Sequence, residues 1–398
     1  MDRARTCRTL TVALILVAAL GIGALSASAR GEPPERLGER ELLSRVSAAP
    51  ENAPDFSATL TAEQTIIPEG LLGASRGDDA GGSGERTVRV WRGGPDKLRA
   101  ELQGENGDSV LVQNGDRVSI YDGASNTLKV GEKAATAPTG AEGLPGASPE
   151  EIDRLLAEIA PYSTLTAGAP VGAVAGRWAY PLTLEPKDRS VTLVERAEAL
   201  VDSETYVPLR LELYAEGRPE PVARYEAQDF QVGTVPDARF EFETPPGATV
   251  ERLEQRHEQA DIHPGYIEPQ KAASVEEASE LAGFAVEELP EAPGGRKLEM
   301  IVVSGDDAVL VYGSGWGTVI LAEKSGNGEG NMLPPGAAGK ESAALVPAVD
   351  LGGGVGAREL STPVGTVLSW TEGGVAYTLA GSVYAGELRG AARGLLAR

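Results

Sequence analysis

The chain of 398 residues has one cysteine and two histidines. Cys7 precedes an N-terminal apolar run, so the chain beyond that run has no thiol. Disulfides, thiolate metal sites and cysteine nucleophiles are thereby excluded from it. His257 and His263 sit together in a polar stretch between two strand-patterned halves. No Gly-x-Ser-x-Gly elbow accompanies them, so a serine hydrolase lacks its positioned base, and a histidine pair without cysteine is a poor metal site. Basic residues are also scarce: 36 Lys and Arg against 59 Asp and Glu give a net charge of −23. That negative field disfavours both nucleic acid and anionic membrane surfaces, because both require clustered cations, and no nucleic-acid partner is expected. Aromatics are only 5%, while 50 glycines and 27 prolines, with no Gly-x-y period, point to many turns rather than to a fibrous chain.

The N-terminus has the marks of a secretory signal. Arg3, Arg5 and Arg8 precede the apolar run Leu10 to Leu25, and Ala27-Ser28-Ala29 is a small-x-small cleavage site. The run, about sixteen residues, is short for a bilayer span. Residues 1–29 are expected to be removed after export, leaving a periplasmic or other extracytoplasmic protein; a retained Met1 in the membrane fraction would mean an uncleaved anchor instead.

Strand patterning dominates the rest. A helix is expected over Glu35 to Ala49, with Leu42, Leu43 and Val46 on one side and Pro50 as its stop. Asp55 to Thr61 alternates as a strand, and the Gly/Asp/Ser tract before Gly84 reads as a mobile hairpin tip. Hairpins then flank Gly93-Gly94-Pro95-Asp96 and Asn114-Gly115-Asp116. After a Pro/Gly/Ala linker, Ser148-Pro149-Glu150-Glu151 opens a second helix with the stripe Ile152, Leu155, Leu156 and Ile159. Trp178, Tyr180, Leu182 and Leu184 share one strand face; Leu209, Leu211 and Leu213 share another. Phe240 and Phe242 are expected on a last strand before Pro245-Pro246-Gly247. No helices alternate with single strands, so the sheet is antiparallel.

Two landmarks carry a family resemblance. The Phe56-Ser57-Ala58-Thr59 strand after one short helix, and the closing series Pro208-Leu209-Arg210, Tyr225, Asp229-Phe230, Pro236-Asp237, Phe240-x-Phe242, Pro245-Pro246-Gly247, resemble the LolA-like superfamily of periplasmic lipid and lipoprotein carriers. The resemblance implies an α+β fold in which a large curved antiparallel sheet forms a half-barrel closed by helices, occupying residues 30–250. Residues 251–267 are expected to be a protease-sensitive linker, and 268–398 a small α+β domain of unknown function. That two-domain order also resembles RseB/MucB regulators, which bind an anti-sigma factor.

The alternation leaves open whether the apolar face is a packed core or an acyl-chain cavity; the resemblance favours the cavity. Its expected lining is Phe56, Trp178, Tyr180, Leu209, Leu211, Leu213, Phe240 and Phe242, with Leu43 and Leu156 among the residues closing over it. The expected protein is therefore a non-enzymatic carrier of a lipid or acylated protein, without cofactor or metal. The alternative is a regulator that binds a membrane-anchored anti-sigma factor.

Other motifs have simpler readings. Gly313-Ser314-Gly315-Trp316-Gly317 lies between two strands and lacks the following helix of a dinucleotide loop. Gly339-Lys340-Glu341 lacks the hydroxyl residue of a phosphate loop. Glu150, Glu151 and Glu158 read as helix capping and a solvated face, and Asp78, Asp79 and Glu85 lack the order of a calcium loop.

Overall fold

A computed structural model describes residues 32–66, 84–104, 107–132, 149–253, 269–326 and 346–397. The signal segment, the hairpin tip, the linker before the second helix, and both histidines lie outside the described residues. The chain forms two compact units. The division is not a single cut, because Asp188–Val194 groups with the C-terminal unit.

The first unit contains α1 (Glu39–Asn52), β1 (Phe56–Gln64), β2 (Gly84–Arg92), β3 (Lys97–Leu102), β4 (Ser109–Asn114), β5 (Arg117–Asp122) and β6 (Thr127–Glu132). There follow α2 (Pro149–Ile159), β7 (Ser163–Ala167), β8 (Val171–Val174), β9 (Arg177–Pro186), β10 (Val194–Asp202), β11 (Pro208–Ala215), β12 (Ala223–Val232) and β13 (Thr249–Arg252). They make one open sheet in the order β13-β6-β5-β4-β3-β2-β1-β12-β11-β10-β9-β7, with β8 also on β9. The centre is β1, which pairs antiparallel with both β2 and β12 and so joins the N-terminal meander to the later strands. Among the described pairings only β13 with β6 is parallel.

Pro50 does not stop α1. The helix runs on to Asn52, with Ala53 N–H donating to Ala49 O at 2.8 Å. A proline so near the end forfeits only one amide donor, and the carbonyls that the helix end itself leaves unpaired are served by the buried Arg92 guanidinium, which donates to Pro50, Ala53 and Pro54.

Phe240 and Phe242 do not lie on a strand. After Pro236 the chain makes a 3₁₀ turn, Asp237–Phe240, and crosses the outer side of the β2–β5 meander. There Phe240, 1% exposed, packs with Val110, Val112 and Val235, flanked by Trp91, Tyr121 and Phe242. A Cβ on Gly93 would stand 2.6 Å from the Phe240 ring. Gly93→Ala is accordingly expected to push the ring out of its seat and cost about 1–3 kcal/mol, measurable as a lower denaturation midpoint; an unchanged midpoint would show that the ring yields freely.

The second unit holds β14 (Gln270–Ala272), α3 (Val275–Ala282), β15 (Leu298–Ser304), β16 (Asp307–Tyr312), β17 (Val319–Ser325), β18 (Ala348–Gly352), β19 (Val355–Thr362), β20 (Gly365–Glu372), β21 (Val375–Gly381) and α4 (Ala385–Leu396). Its sheet runs β14-β15-β16-β17-β21-β20-β19-β18. Residues of α3 and α4, including Ala278, Leu388 and Ala392, pack with Leu310, Leu321, Leu368 and Leu379 from one side of that sheet. A reciprocal capping box starts α3: Glu277 N–H donates to Ser274 Oγ at 3.2 Å, and Ala273 N–H donates to Glu277 Oε2 at 2.6 Å. Gly283, at φ +74, ends it. The strands β18 and β19 are not expected from the sequence, because their turn Gly352-Gly353-Gly354 looks like more of the preceding loop; all three glycines have positive φ.

Candidate functional site: the inner face of the large sheet

Strand register sorts the residues of the first unit onto two faces. Phe56, Ala58 and Leu60 sit opposite Arg92, Val90 and Val88; Val90 is opposite Ala100, Ala100 opposite Leu111, and Leu111 opposite Ile120. In the other direction Leu60 meets Ala227, and Leu211 meets Tyr225. These residues share the inner face. The outer face of β10–β12 is charged: Arg224 pairs with Glu212 at 2.7 Å, Arg210 with Glu226, and the Arg196 guanidinium lies 3.6 Å from the centre of the Tyr214 ring. Burial and the neighbouring Glu212 push the Tyr214 hydroxyl up to about 12.

Two different environments divide the inner face. Over β7, β9, β10 and β11, the helices fill it: Leu42 and Leu43 of α1 pack with Tyr180, Leu182, Ala199, Val201 and Leu211, and Leu156 of α2 joins them. Polar ties hold this packing. Arg45 donates to the Tyr206 hydroxyl, Tyr180 donates to Glu35 O at 2.9 Å, Ala167 N–H donates to Glu39 at 3.2 Å, and Arg40 pairs with Asp153. A cavity lined by Leu165, Leu182, Leu184, Ala197 and Leu211 has a volume of only about 10 Å³, at most room for one water.

The meander half differs. Phe56, Ala58, Leu60, Val90, Leu209 and Phe230 form a cluster that includes Val174 and Ala179 but no helix residue among those described. Leu98 and Ala100 pack against this cluster, and they, with Leu102, Leu111 and Ile120, are only half-buried. An apolar sheet face is thus left partly open on β3–β5.

The expected lining residues therefore separate. Phe56, Tyr180, Leu209 and Leu211 are on the inner face and at most 3% exposed, within packed clusters. Leu43 and Leu156 pack over it, Leu213 is half-buried at its end, and Trp178 is half-buried outside these clusters. Phe240 and Phe242 are on the outer side, because a 3₁₀ turn replaces the strand expected there. The side chain of Ile152 lies outside the described residues. What sequence reasoning missed is the row Leu98, Leu111 and Ile120. The alternation of Leu98, Ala100 and Leu102 with Lys97, Arg99 and Glu101 signals a two-faced strand, but register alone shows which face meets Phe56.

Little on this face invites acid–base or metal chemistry. Burial holds the Arg92 guanidinium below its ordinary pKa and pushes the Tyr225 hydroxyl above its own. Among the described residues no group of three His, Cys, Asp or Glu side chains is placed to hold a metal ion. The arrangement can exclude water from an apolar ligand.

No protein-family model matches the chain, and no curated protein matches it. Among solved structures it is similar to the Pseudomonas aeruginosa MucA/MucB complex, at 17% identity and a TM-score of 0.45, covering 89% of this chain and 96% of that one. It is also similar to an uncharacterized conserved protein from Thermus thermophilus, at 16% identity and a TM-score of 0.32, covering 54% of this chain and 98% of that one. A LolA superfamily protein from Nitrosomonas europaea is similar at 11% identity and a TM-score of 0.22, covering 52% of this chain and 98% of that one.

Proposed function

We propose that this is an exported, non-enzymatic envelope protein whose first unit is a half-barrel that binds the acyl chain of a lipid or lipoprotein against the β3–β5 part of its inner face. The observation that carries the reading is the row Leu98, Ala100, Leu102, Leu111 and Ile120, apolar, half-buried and joined by no described helix. Each methylene removed from water there contributes about 0.8 kcal/mol. About sixteen of them supply roughly 13 kcal/mol, which leaves micromolar binding after an association cost of about 4 kcal/mol.

Purified full-length protein is expected to bind a fluorescent fatty acid. Leu111→Asp, which places a carboxylate in the middle of the row, should weaken binding at least tenfold while circular dichroism stays that of a folded sheet. Unchanged binding in the folded variant, or no acyl probe bound by the wild type, would overturn the reading.

The two-unit organisation favours a second reading, a regulator whose partner is an anti-sigma factor. A neighbouring sigma and anti-sigma gene pair, with co-purification of the anti-sigma protein, would support it over the carrier.

A further inference from the structure

The C-terminal unit contains a piece of chain taken from far upstream. Between β9 and β10, Asp188 accepts bonds from the N–H of Ser190 at 2.9 Å and from its hydroxyl at 2.6 Å, capping the 3₁₀ turn Arg189–Val191. The next residues are extended and buried: Thr192 is 4% exposed, Leu193 6% and Val194 8%.

A seat formed by Arg296, Gly317 and Ser382 receives them. The Arg296 guanidinium donates to Val191 O at 2.7 Å and is itself fixed by bonds to Gly317 O and Pro293 O. Gly317 is required by closeness: a Cβ there would stand 3.0 Å from Val191 Cβ. The direction of the remaining bonds follows from proton count. Ser382 spends its single hydroxyl hydrogen on Val364 O at 2.8 Å, so its hydroxyl can only accept from Thr192 Oγ1 at 2.8 Å and from Leu193 N–H at 3.0 Å, an N–H shared with Ser382 O at 3.2 Å. Val194 N–H donates to Thr192 Oγ1 at 3.2 Å, completing a relay of hydrogen bonds running Val194, Thr192, Ser382, Val364.

We propose that Asp188–Val194 is a built-in peptide ligand of the C-terminal unit, bound in a specific seat between Arg296, Gly317 and Ser382, and that residues 269–397 without it are an incomplete domain. Every contact that reads the segment is either to its backbone (Val191 O, Leu193 N–H) or to one hydroxyl (Thr192). The seat thus selects an extended peptide with a hydroxyl residue at the position of Thr192. Without the segment, Arg296 and Ser382 each lose a hydrogen-bond partner.

Hydrogen exchange on the full-length chain tests this. In Ser382→Ala, which removes the relay's central oxygen with no steric change and leaves the Leu193 amide only the backbone carbonyl of residue 382 at 3.2 Å, that amide should exchange at least about threefold faster than in the wild type. An unchanged rate would overturn the proposal. A second test introduces a protease site into 254–268 of the full chain. After cleavage the wild-type C-terminal piece should co-elute with the N-terminal piece, and in Gly317→Val, where the added methyls occupy the space of Val191, it should be released. Separation of the cleaved wild type, or co-elution of cleaved Gly317→Val, would count against the seat. Should uncleaved Gly317→Val lose its circular dichroism signal, the exchange rate of Ser382→Ala decides.

Discussion

Glu323→Gln is expected to flatten the pH dependence of the second unit's stability and to stabilise it strongly at pH 9. Glu323 is 1% exposed on β17, on the core side of the sheet. Its two oxygens share one donor, the Glu287 N–H, at 3.2 and 3.1 Å, and no cation pairs with it among the described residues. The groups facing it are acidic or neutral: Glu287 itself, Tyr377 opposite it on β21, and Glu372 near the Tyr377 ring.

Burial therefore pushes the Glu323 carboxyl up from 4.5 to about 8, against the opposing pull of the Glu287 amide. A carboxyl whose folded pKa lies above its unfolded value binds its proton more tightly in the folded state. Its stabilisation is complete below the unfolded pKa and is lost as pH rises towards 8. The shift corresponds to roughly 5 kcal/mol between the two limits, a large fraction of a domain's stability. Glutamine keeps the acceptor and never ionises. Chemical denaturation at pH 5, 7 and 9 should thus show the wild type losing stability across this range and the variant losing several kcal/mol less. The slope is the readout, because the extra amide hydrogens of glutamine shift both ends of the curve alike. Parallel curves would mean that water or rearrangement relieves the carboxylate.

Leu211→Asp should unfold the first unit. Leu211 is 2% exposed among Leu42, Leu43, Tyr180, Leu182 and Ala199, with about 10 Å³ of free space beside it. A carboxylate placed there would be desolvated in an apolar cluster, with the acidic Glu198 and Glu212 lining the same small cavity, and an uncompensated buried charge costs more than a domain of this kind can spare. The milder Leu211→Ala should cost about 2–5 kcal/mol. Circular dichroism after expression distinguishes the outcomes. A folded Leu211→Asp would show that α1 lifts from the sheet readily and that the helix-covered half is itself accessible to a ligand. This expectation also explains why a binding test belongs at Leu111, where half-exposure lets a carboxylate remain partly hydrated.

Local signals account for much of the fold. Asn114-Gly115 set a hairpin because Gly115 adopts φ +62; Ser274 and Glu277 set the start of α3 because a capping box satisfies two otherwise free amides; and the spacing of Leu209 and Leu211 gave their common face. Composition alone disfavoured a nucleic-acid surface and left Cys7 as the chain's one thiol, since charge and residue type do not depend on the fold.

Tertiary structure decided what contacts distant in sequence impose. Alternation put Phe240 and Phe242 together, but a 3₁₀ turn after Pro236 carried them to the outer face, where Val110 and Val112 offered an apolar seat. Helical spacing marked Leu42 and Leu43 as an apolar side, yet only packing showed that they fill one half of the inner face and leave Leu98, Leu111 and Ile120 half-buried on the other. The assignment of Asp188–Val194 to the C-terminal unit has no local signature, because Arg296, Gly317 and Ser382, which hold it, are distant in sequence and meet only in the folded sheet. Periodicity fixes which residues share a side; whether that side is packed, open or occupied by another segment depends on distant parts of the chain, and a local pattern cannot encode it.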